Sequence, residues 1–477
     1  MIARALVLAV AAVVALRLAD ARRVAPHVVP ARPNILLFFP DELRYDWINN
    51  GTDADFLHMP HIDSLRRRGV KFDRAITPSP ICGPARACFA AASHYEEVGV
   101  LSNKFNFPTN RLTTYYKLLR DSGYHTMAVG KLDLNKKDTL SGFGWGHDGA
   151  LHAEAFGFSR MVNSMGVYGA DSLKNPDENG SYTEPYTDFL LLHNKTDEFI
   201  QDAVRLLNEA QADPTVNEWF LVVNWNGPHY PMSVTQSMWD SVQGRTFPQP
   251  VDYVGPLDAD QHNRTRGDYA AMIENLDRQI GRILSTVQDL NNTVVVLASD
   301  HGEMLGDRGY WKKSVPYKAS VQVPLVIAGD TVVAKSLRGV TTNAGVSLID
   351  LAATFLDVGG VHNLPAQMSE AVSLKPLLAG ESPPRRVVRS ALNSWHLWFD
   401  GRFKYVSGFK DEATLLDLDT DPFERTNLLH EQDPVRLAHY TRIVQWLLGK
   451  GPAVEDELPV AQSLERTVDV EGASLSE

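Results

Sequence analysis

The chain has 477 residues, with 46 lysines and arginines against 58 aspartates and glutamates, a formal net charge of −12 and 44% hydrophobic residues. This is the composition of an ordinary globular protein and excludes fibrous, collagen-like and wholly disordered chains; a pI near 5.7 argues against gripping a nucleic-acid backbone, which needs a basic face. Only Cys82 and Cys88 are present, so no disulfide framework holds the fold.

Arg4 precedes an apolar run from Ala5 to Leu16, and Ala19-Asp20-Ala21 follows. That order is the pattern of a secretory signal over residues 1–21, too short to span a bilayer, which takes about 20 apolar residues. Export to an extracellular, lysosomal or periplasmic space without a membrane anchor is therefore expected. Sequons at Asn50, Asn179, Asn194, Asn263 and Asn291 agree with that route. Residues 22–31, with Pro26 and Pro30, read as a linker.

Short apolar runs then recur at Ile35–Phe39, Thr126–Val129, Trp219–Val223, Thr293–Ala298 and Val323–Ala328. Near-continuous β-branched and aromatic runs fit strands covered on both faces. Apolar residues at Tyr269, Met272, Ile273, Leu276, Ile280, Ile283, Leu284 and Val287 form a helical stripe suited to cover one face. Strands alternating with helices predict an α/β fold with a mostly parallel sheet over 32–375. From 376 to 451 the texture changes to short alternating segments, Trp395–Phe399 and Arg402–Val406 about a turn at Gly401, a further strand at Thr414–Leu418 and a closing helix at Pro434–Leu448. A small antiparallel C-terminal subdomain is expected there, then an acidic tail over 452–477.

Four of the predicted strands end in polar groups: Asp41-Glu42, Lys131-x-Asp133, Pro228-His229 and Asp300-His301. Ligands of open α/β sheets bind beyond the carboxyl ends of strands, so these four ends predict one assembled site. Carboxylates of Asp41, Glu42 and Asp300 at one rim would repel without a cation between them. Oxygen-rich coordination favours a hard divalent ion, Ca²⁺ first and Mg²⁺ or Mn²⁺ next, with His301 as a further ligand. The alternative is a solvated acidic loop with Asp300 as a helix cap.

In Ile81-Cys82-Gly83-Pro84-Ala85-Arg86, Pro84 suits the first turn of a helix, which puts Cys82 at its N-terminus. Free amides and the helix dipole favour negative charge at that point, and Arg86 adds a guanidinium suited to oxyanions. A buried structural cysteine is the alternative, or a Cys82–Cys88 disulfide, whose geometry would be poor on a continuous helix.

Cys82-x-Pro84-x-Arg86 resembles the C-x-P-x-R signature of the type I sulfatases, members of the alkaline phosphatase superfamily in which this cysteine becomes formylglycine. Further segments resemble that family in order: Arg32-Pro33-Asn34-Ile35 into Asp41, Gly130-Lys131, Pro228-His229, Asp300-His301-Gly302-Glu303 through Lys312-Lys313, Val323-Pro324-Leu325, and Leu416-Asp417-Leu418 with Asp421-Pro422. The likeness runs from Arg32 to Leu428. It implies an alkaline-phosphatase-like catalytic domain over 32–375 that hydrolyses sulfate esters, and a formylglycine-generating enzyme as a partner in maturation. It also implies a divalent metal held by Asp41, Glu42, Asp300 and His301 together with residue 82. Lys131, Lys313 and Arg86 would neutralise the sulfuryl oxygens, His229 would assist the departing alcohol, and Asp133 would take the proton that releases sulfate.

Three positions depart from the family pattern. Ala90-Ala91-Ala92-Ser93 replaces the Leu-Thr-Gly-Arg that helps the modifying enzyme, Asp133 replaces a histidine, and Glu42 replaces an aspartate. Two other readings stay open: a phosphodiesterase or phosphonate monoester hydrolase of the same superfamily, and a non-catalytic binding protein. Between Asp138 and Glu198 ten acids face only Arg160, Lys174 and Lys195, with Phe143, Trp145, Phe156, Phe158 and Tyr168 among them. That balance predicts small aryl or lightly sulfated substrates over heavily sulfated polymers.

Overall fold

Runs of valine, isoleucine and leucine with no polar face need cover on both sides, and the computed structural model of the chain provides it. Residues 32–49, 56–135, 154–162, 197–230, 232, 234–382 and 386–451 are described. The expected signal, linker and tail, the sequons at Asn50, Asn179 and Asn194, and most of 138–198 lie outside them.

The strands up to residue 347 are β1 (Asn34–Phe38), β2 (Gly69–Phe72), β3 (Ala75–Ile76), β4 (His125–Gly130), β5 (Arg160–Val162), β6 (Trp219–Asn224), β7 (Thr293–Ala298), β8 (Leu325–Ala328), β9 (Val340–Thr342) and β10 (Val346–Ser347). Eight of them form one sheet in the order β5-β4-β6-β1-β7-β8-β2-β9, and β3 pairs with β10. Pairing is parallel from β5 through β7, with Leu36 opposite Leu221 on one side and Val295 on the other. Successive side chains of β1 alternate faces. Ile35 and Leu37 join one apolar core with Phe89 and Phe355, whereas Leu36 and Phe38 join another with Tyr269, Ile273 and Ile280. The first core is covered by α1 (Cys82–Ala91), the second by α2 (Ala259–Leu284); α3 (Leu348–Val358) lies with α1.

One strand runs the other way. β8 is antiparallel to both β7 and β2, with Ala298 opposite Leu325. β7 therefore ends, and β8 begins, at the same edge. The segment joining them leaves the carboxyl rim and returns to it, which keeps Asp300 through Lys313 over the site.

Beyond it, β11 (Val388–Leu392), β12 (Trp395–Phe399), β13 (Phe403–Phe409) and β14 (Glu412–Asp417) make an antiparallel four-stranded sheet. Gly401 turns between β12 and β13 with φ +102°, a conformation that only glycine adopts without strain. Ile443 and Leu447 of α4 (Pro434–Leu447) pack on Phe403 and Leu415. This sheet also reaches the β7–β8 segment: Lys404 Nζ donates to the Pro316 carbonyl and pairs with Glu424, whose other oxygen accepts the Lys318 amide. Among the described residues no helix is long and apolar enough to cross a membrane. At the Asn263 sequon the side-chain amide is engaged inside the fold, accepting from the Phe247 amide and donating to the Arg245 carbonyl.

Candidate active site

The parallel order places the carboxyl ends of β4, β6, β1 and β7 side by side, so four polar strand ends share one rim. Asp41, Glu42, Cys82, Arg86, Lys131, Asp133, His229, Asp300, His301 and Lys313 all meet there. All but His229 and Lys313 are buried; those two are half-buried, with His229's side chain 24% exposed.

Cys82 opens α1, after Ile81 in extended conformation, and every residue of that helix is buried. Neither Cys82 nor Cys88 is in a disulfide. Cys82 Sγ lies 3.2 Å from His301 Nε2 and 3.7 Å from Asp41 Oδ1. The next amide, of Gly83, donates to Asn103 Oδ1 at 2.8 Å, so the loop bearing Asn103 closes over the start of the helix. A Cβ on Gly83 would sit 2.9 Å from that oxygen, and the close approach explains the glycine.

Arg86 stands one turn along α1 and is only 3% exposed. Its Nε donates to Asp300 Oδ2 at 2.8 Å, and Nη1 to the Lys131 carbonyl at 2.6 Å and Asn224 Oδ1 at 3.0 Å; Nη2 lies 3.6 Å from Asp41 Oδ2. The guanidinium thus orders the carboxylates from behind. Burial disfavours its charge, but Asp300, Asp41 and Asp133 more than compensate and raise its pKa. Lys131 pairs with Asp41 and lies 3.5 Å from Asp133, and these two acids likewise raise its pKa against burial.

Glu42 takes a second pair of partners. Lys313 Nζ donates to its Oε2 at 2.9 Å, and His229 Nε2 lies 3.2 Å from the same oxygen, with Nδ1 turned to the Tyr230 carbonyl. Glu42 Oε1 is buried and has no hydrogen-bond partner. Burial pushes the Glu42 carboxyl up to about 7, although His229 and Lys313 pull it down. Burial and the Cys82 charge would also raise Asp41, yet Lys131, His229 and Arg86 together hold it below the usual carboxylate range. His301 goes the other way: burial disfavours its charge, but Asp300 and Cys82 raise it to about 9.

The donor set fits a cation. Ligand atoms of Asp41, Cys82, Asp300 and His301 lie within 4.8 Å of one another, as do those of Asp41, Glu42 and His229. The partnerless Glu42 oxygen points to a missing positive group, since a buried carboxylate oxygen left unpaired is costly. Four carboxylates (Asp41, Glu42, Asp133 and Asp300) stand against three fixed cations (Arg86, Lys131 and Lys313). One divalent ion brings that cluster close to balance with an incoming anion, and a second would leave it strongly positive.

Some of the site was not anticipated. Asn224, at the end of β6, accepts from Arg86 and donates to the Val129 carbonyl at 3.3 Å; its place just past a predicted strand was the available signal. Ser299 accepts from the Leu43 amide at 3.0 Å, and Gly302 packs so tightly that a Cβ would meet the Ala319 carbonyl oxygen at 2.0 Å.

Comparison with known proteins identifies the family. The Sulfatase family model matches residues 33–361. A choline-sulfatase of Rhizobium meliloti is 28% identical over 433 residues, covering 83% of this chain and 82% of that protein. An arylsulfatase of Clostridium perfringens is 25% identical over 458 residues, covering 86% and 93%. The solved structure of a phosphonate monoester hydrolase from Silicibacter pomeroyi superposes with a TM-score of 0.70 at 21% identity, over 87% of this chain and 94% of that one, which shows a shared fold. With its family model matched across most of the chain, beneath a rim built from those same segments, the chain belongs to the Sulfatase family.

Proposed function

We propose that this sulfatase hydrolyses sulfate esters with residue 82, matured from cysteine to formylglycine, as the nucleophile beside one divalent metal, Ca²⁺. The observation that carries this reading is the position of the Cys82 sulfur, at a helix start within 4 Å of both His301 and Asp41. Hydrated formylglycine supplies a hydroxyl nucleophile, and a divalent cation on Asp41, Glu42, Asp300 and His301 supplies the Lewis acidity that makes such a hydroxyl attack at neutral pH. His301 would join the ligands of that cation as the neutral imidazole, its Nδ1 facing the Gly302 carbonyl at 3.0 Å.

The chain's own residues do the rest. Lys131 and Lys313 flank the carboxylates and stay charged, so their ammonium groups hold the sulfuryl oxygens and meet the charge that builds on them. Arg86, with its Nε and Nη1 engaged behind the acids, keeps Asp300 and the Lys131 backbone in register, and its Nη2, which has no hydrogen-bond partner, joins the lysines in neutralising the sulfuryl oxygens. His229 projects Nε2 into the site from a half-buried position and hands a proton to the departing alcohol oxygen. Asp133, close to Lys131, takes the proton whose loss frees sulfate. Export through a secretory route follows from the N-terminal pattern, with a formylglycine-generating enzyme acting on the chain during maturation.

The name of the choline-sulfatase relative agrees with a small, lightly charged sulfate ester as substrate. Peptide mass spectrometry of residue 82, with rates on an aryl sulfate and a phosphate diester, tests the reading. Formylglycine with a sulfate preference is expected. An intact thiol in active protein, or faster phosphate diester cleavage, would overturn it.

A further inference from the structure

The turn from Pro40 to Arg44 carries two of the candidate ligands, and its backbone is held by the ligand Asp300 and by two side chains outside the ligand set, Ser299 and Tyr269. Glu42 sits at φ +64°, a left-handed conformation that a residue with a Cβ enters only under constraint. The Glu42 amide donates to Asp300 Oδ1 at 3.2 Å and the Leu43 amide to Ser299 Oγ at 3.0 Å. Two further backbone groups meet one atom. The Tyr269 hydroxyl accepts from the Arg44 amide at 2.8 Å and donates to the Glu42 carbonyl at 2.7 Å.

Tyr269 belongs to α2, on the far face of the sheet from α1, and is fully buried. Its ring stands edge-on to Trp47 with centroids 5.0 Å apart. Burial, with Glu303 and Glu42 nearby, raises the phenol's pKa, so it remains a donor at physiological pH. Arg44 extends the brace, since its guanidinium reaches the Met304 carbonyl at 3.1 Å and Asp307 at 2.7 Å, beyond the Asp300 end of the rim.

We propose that Tyr269 is a positioning residue for the cation site, its hydroxyl locking the strained Glu42–Arg44 backbone so that Asp41 and Glu42 converge with Asp300 and His301. This inference rests on the divalent-metal reading given above. Without the hydroxyl, a buried carbonyl and a buried amide lose their partner, and the turn relieves both deficits by leaving the left-handed conformation. Glu42 then swings away from Asp41.

Tyr269→Phe keeps the ring and removes only the hydroxyl. Chelator-competition titration of the full chain with Ca²⁺ should show affinity about 10- to 100-fold weaker than in the parent, the usual loss when a supporting partner of a ligand is removed. Activity of the variant, assayed well below its melting temperature so that the folded fraction does not limit the rate, should recover toward the parent value as Ca²⁺ is raised. Tyr124→Phe is the control: it deletes a buried hydroxyl bonded to the Pro33 carbonyl at 2.8 Å, away from the turn, and should leave Ca²⁺ affinity unchanged. Unchanged affinity in Tyr269→Phe, or equal weakening in both variants, overturns the positioning role alone. A parent chain that binds no divalent ion overturns the metal reading and this inference with it. If Tyr269→Phe does not fold, hydrogen exchange of the parent decides: Ca²⁺ should slow exchange of the Arg44 amide, and no change overturns the proposal.

Discussion

Lys313 and Glu42 are separated by 271 positions in sequence, yet the ammonium of one lies 2.9 Å from a carboxylate oxygen of the other. The contact joins the turn after β1 to the segment between β7 and β8, and the other Glu42 oxygen is buried without a hydrogen-bond partner. In the proposed mechanism, charge at this point would serve both the metal and the sulfuryl group. Lys313→Met should lower kcat/KM on an aryl sulfate roughly 10²–10³-fold, the usual loss of one preorganised charge donor, whereas Lys313→Arg should retain part of the rate. Steady-state kinetics of the two variants decide this; equal losses would place the role in geometry instead of charge.

Cys82→Ala should abolish turnover and move the melting temperature little, because the helix keeps its packing. Cys88 is also buried, in the apolar core against Phe89 and Tyr95, and its thiol is pushed up by burial. Cys88→Ser should therefore keep the rate constant while losing about 1–3 kcal/mol of stability, the cost of a hydroxyl in apolar surroundings. Chemical denaturation alongside a rate assay separates the two cysteines.

Removal of divalent ions by a strong chelator should eliminate activity, and Ca²⁺ should restore it. Asp300→Asn should shift the restoring concentration upward at least tenfold, since Asp300 also anchors Arg86 and the Glu42 amide. Elemental analysis before and after chelation is the direct check.

His94 offers a test of stability against pH away from the site. Burial, with help from Arg389 and Arg386, pulls its pKa down to about 4 in spite of Glu370 at 3.2 Å. The folded chain keeps His94 neutral in the range where an unfolded histidine takes up a proton near pH 6.5. Between pH 6.5 and 4 the unfolded state binds more protons, so stability falls as pH falls through that window, by on the order of 2 kcal/mol from this group. Urea unfolding at pH 7 and pH 5 should show the loss, and His94→Gln should flatten it.

Asn103→Ala should weaken the start of α1, leaving the Gly83 amide without its acceptor. A loss of about 1 kcal/mol in stability is expected, as for other capping contacts, with a larger effect on kcat than on KM. Equal effects on both constants would indicate a role in substrate binding.

Strand ends told much of this story in advance, because buried parallel strands are apolar runs and their carboxyl ends collect ligands whatever the loops do. Ile35–Phe39, Thr126–Val129, Trp219–Val223 and Thr293–Ala298 are strands within a residue or two of their observed bounds. Val323–Ala328 begins later than expected, at Leu325, since Pro324 has no amide for the ladder. Its reversed direction left no mark in the sequence, because a doubly covered strand is equally apolar either way. The stripe from Tyr269 found only the later part of α2, whose true start is the Asp258–Gln261 capping box. Between them His262 and Arg266 are buried although polar, which breaks the apolar period. The edge strand β9, three residues long, carries too few for a period to show. Tyr269 itself was read as packing: a tyrosine on a helical stripe looks apolar until its hydroxyl finds a partner.

The reversed β8 has a consequence for how the active-site surroundings can change over evolutionary time. The excursion between β7 and β8 starts and finishes on neighbouring strands, so its ends stay fixed by sheet pairing whatever its length. Lengthening a segment with anchored ends adds only slowly to closure entropy, about 0.6 kcal/mol for each doubling. Insertions beyond Lys313 can therefore reshape the mouth of the pocket without shifting Asp300 or the sheet. Diversity of substrates among chains with this strand order should accordingly track the length of that excursion more than the sequence of the strands that bound it.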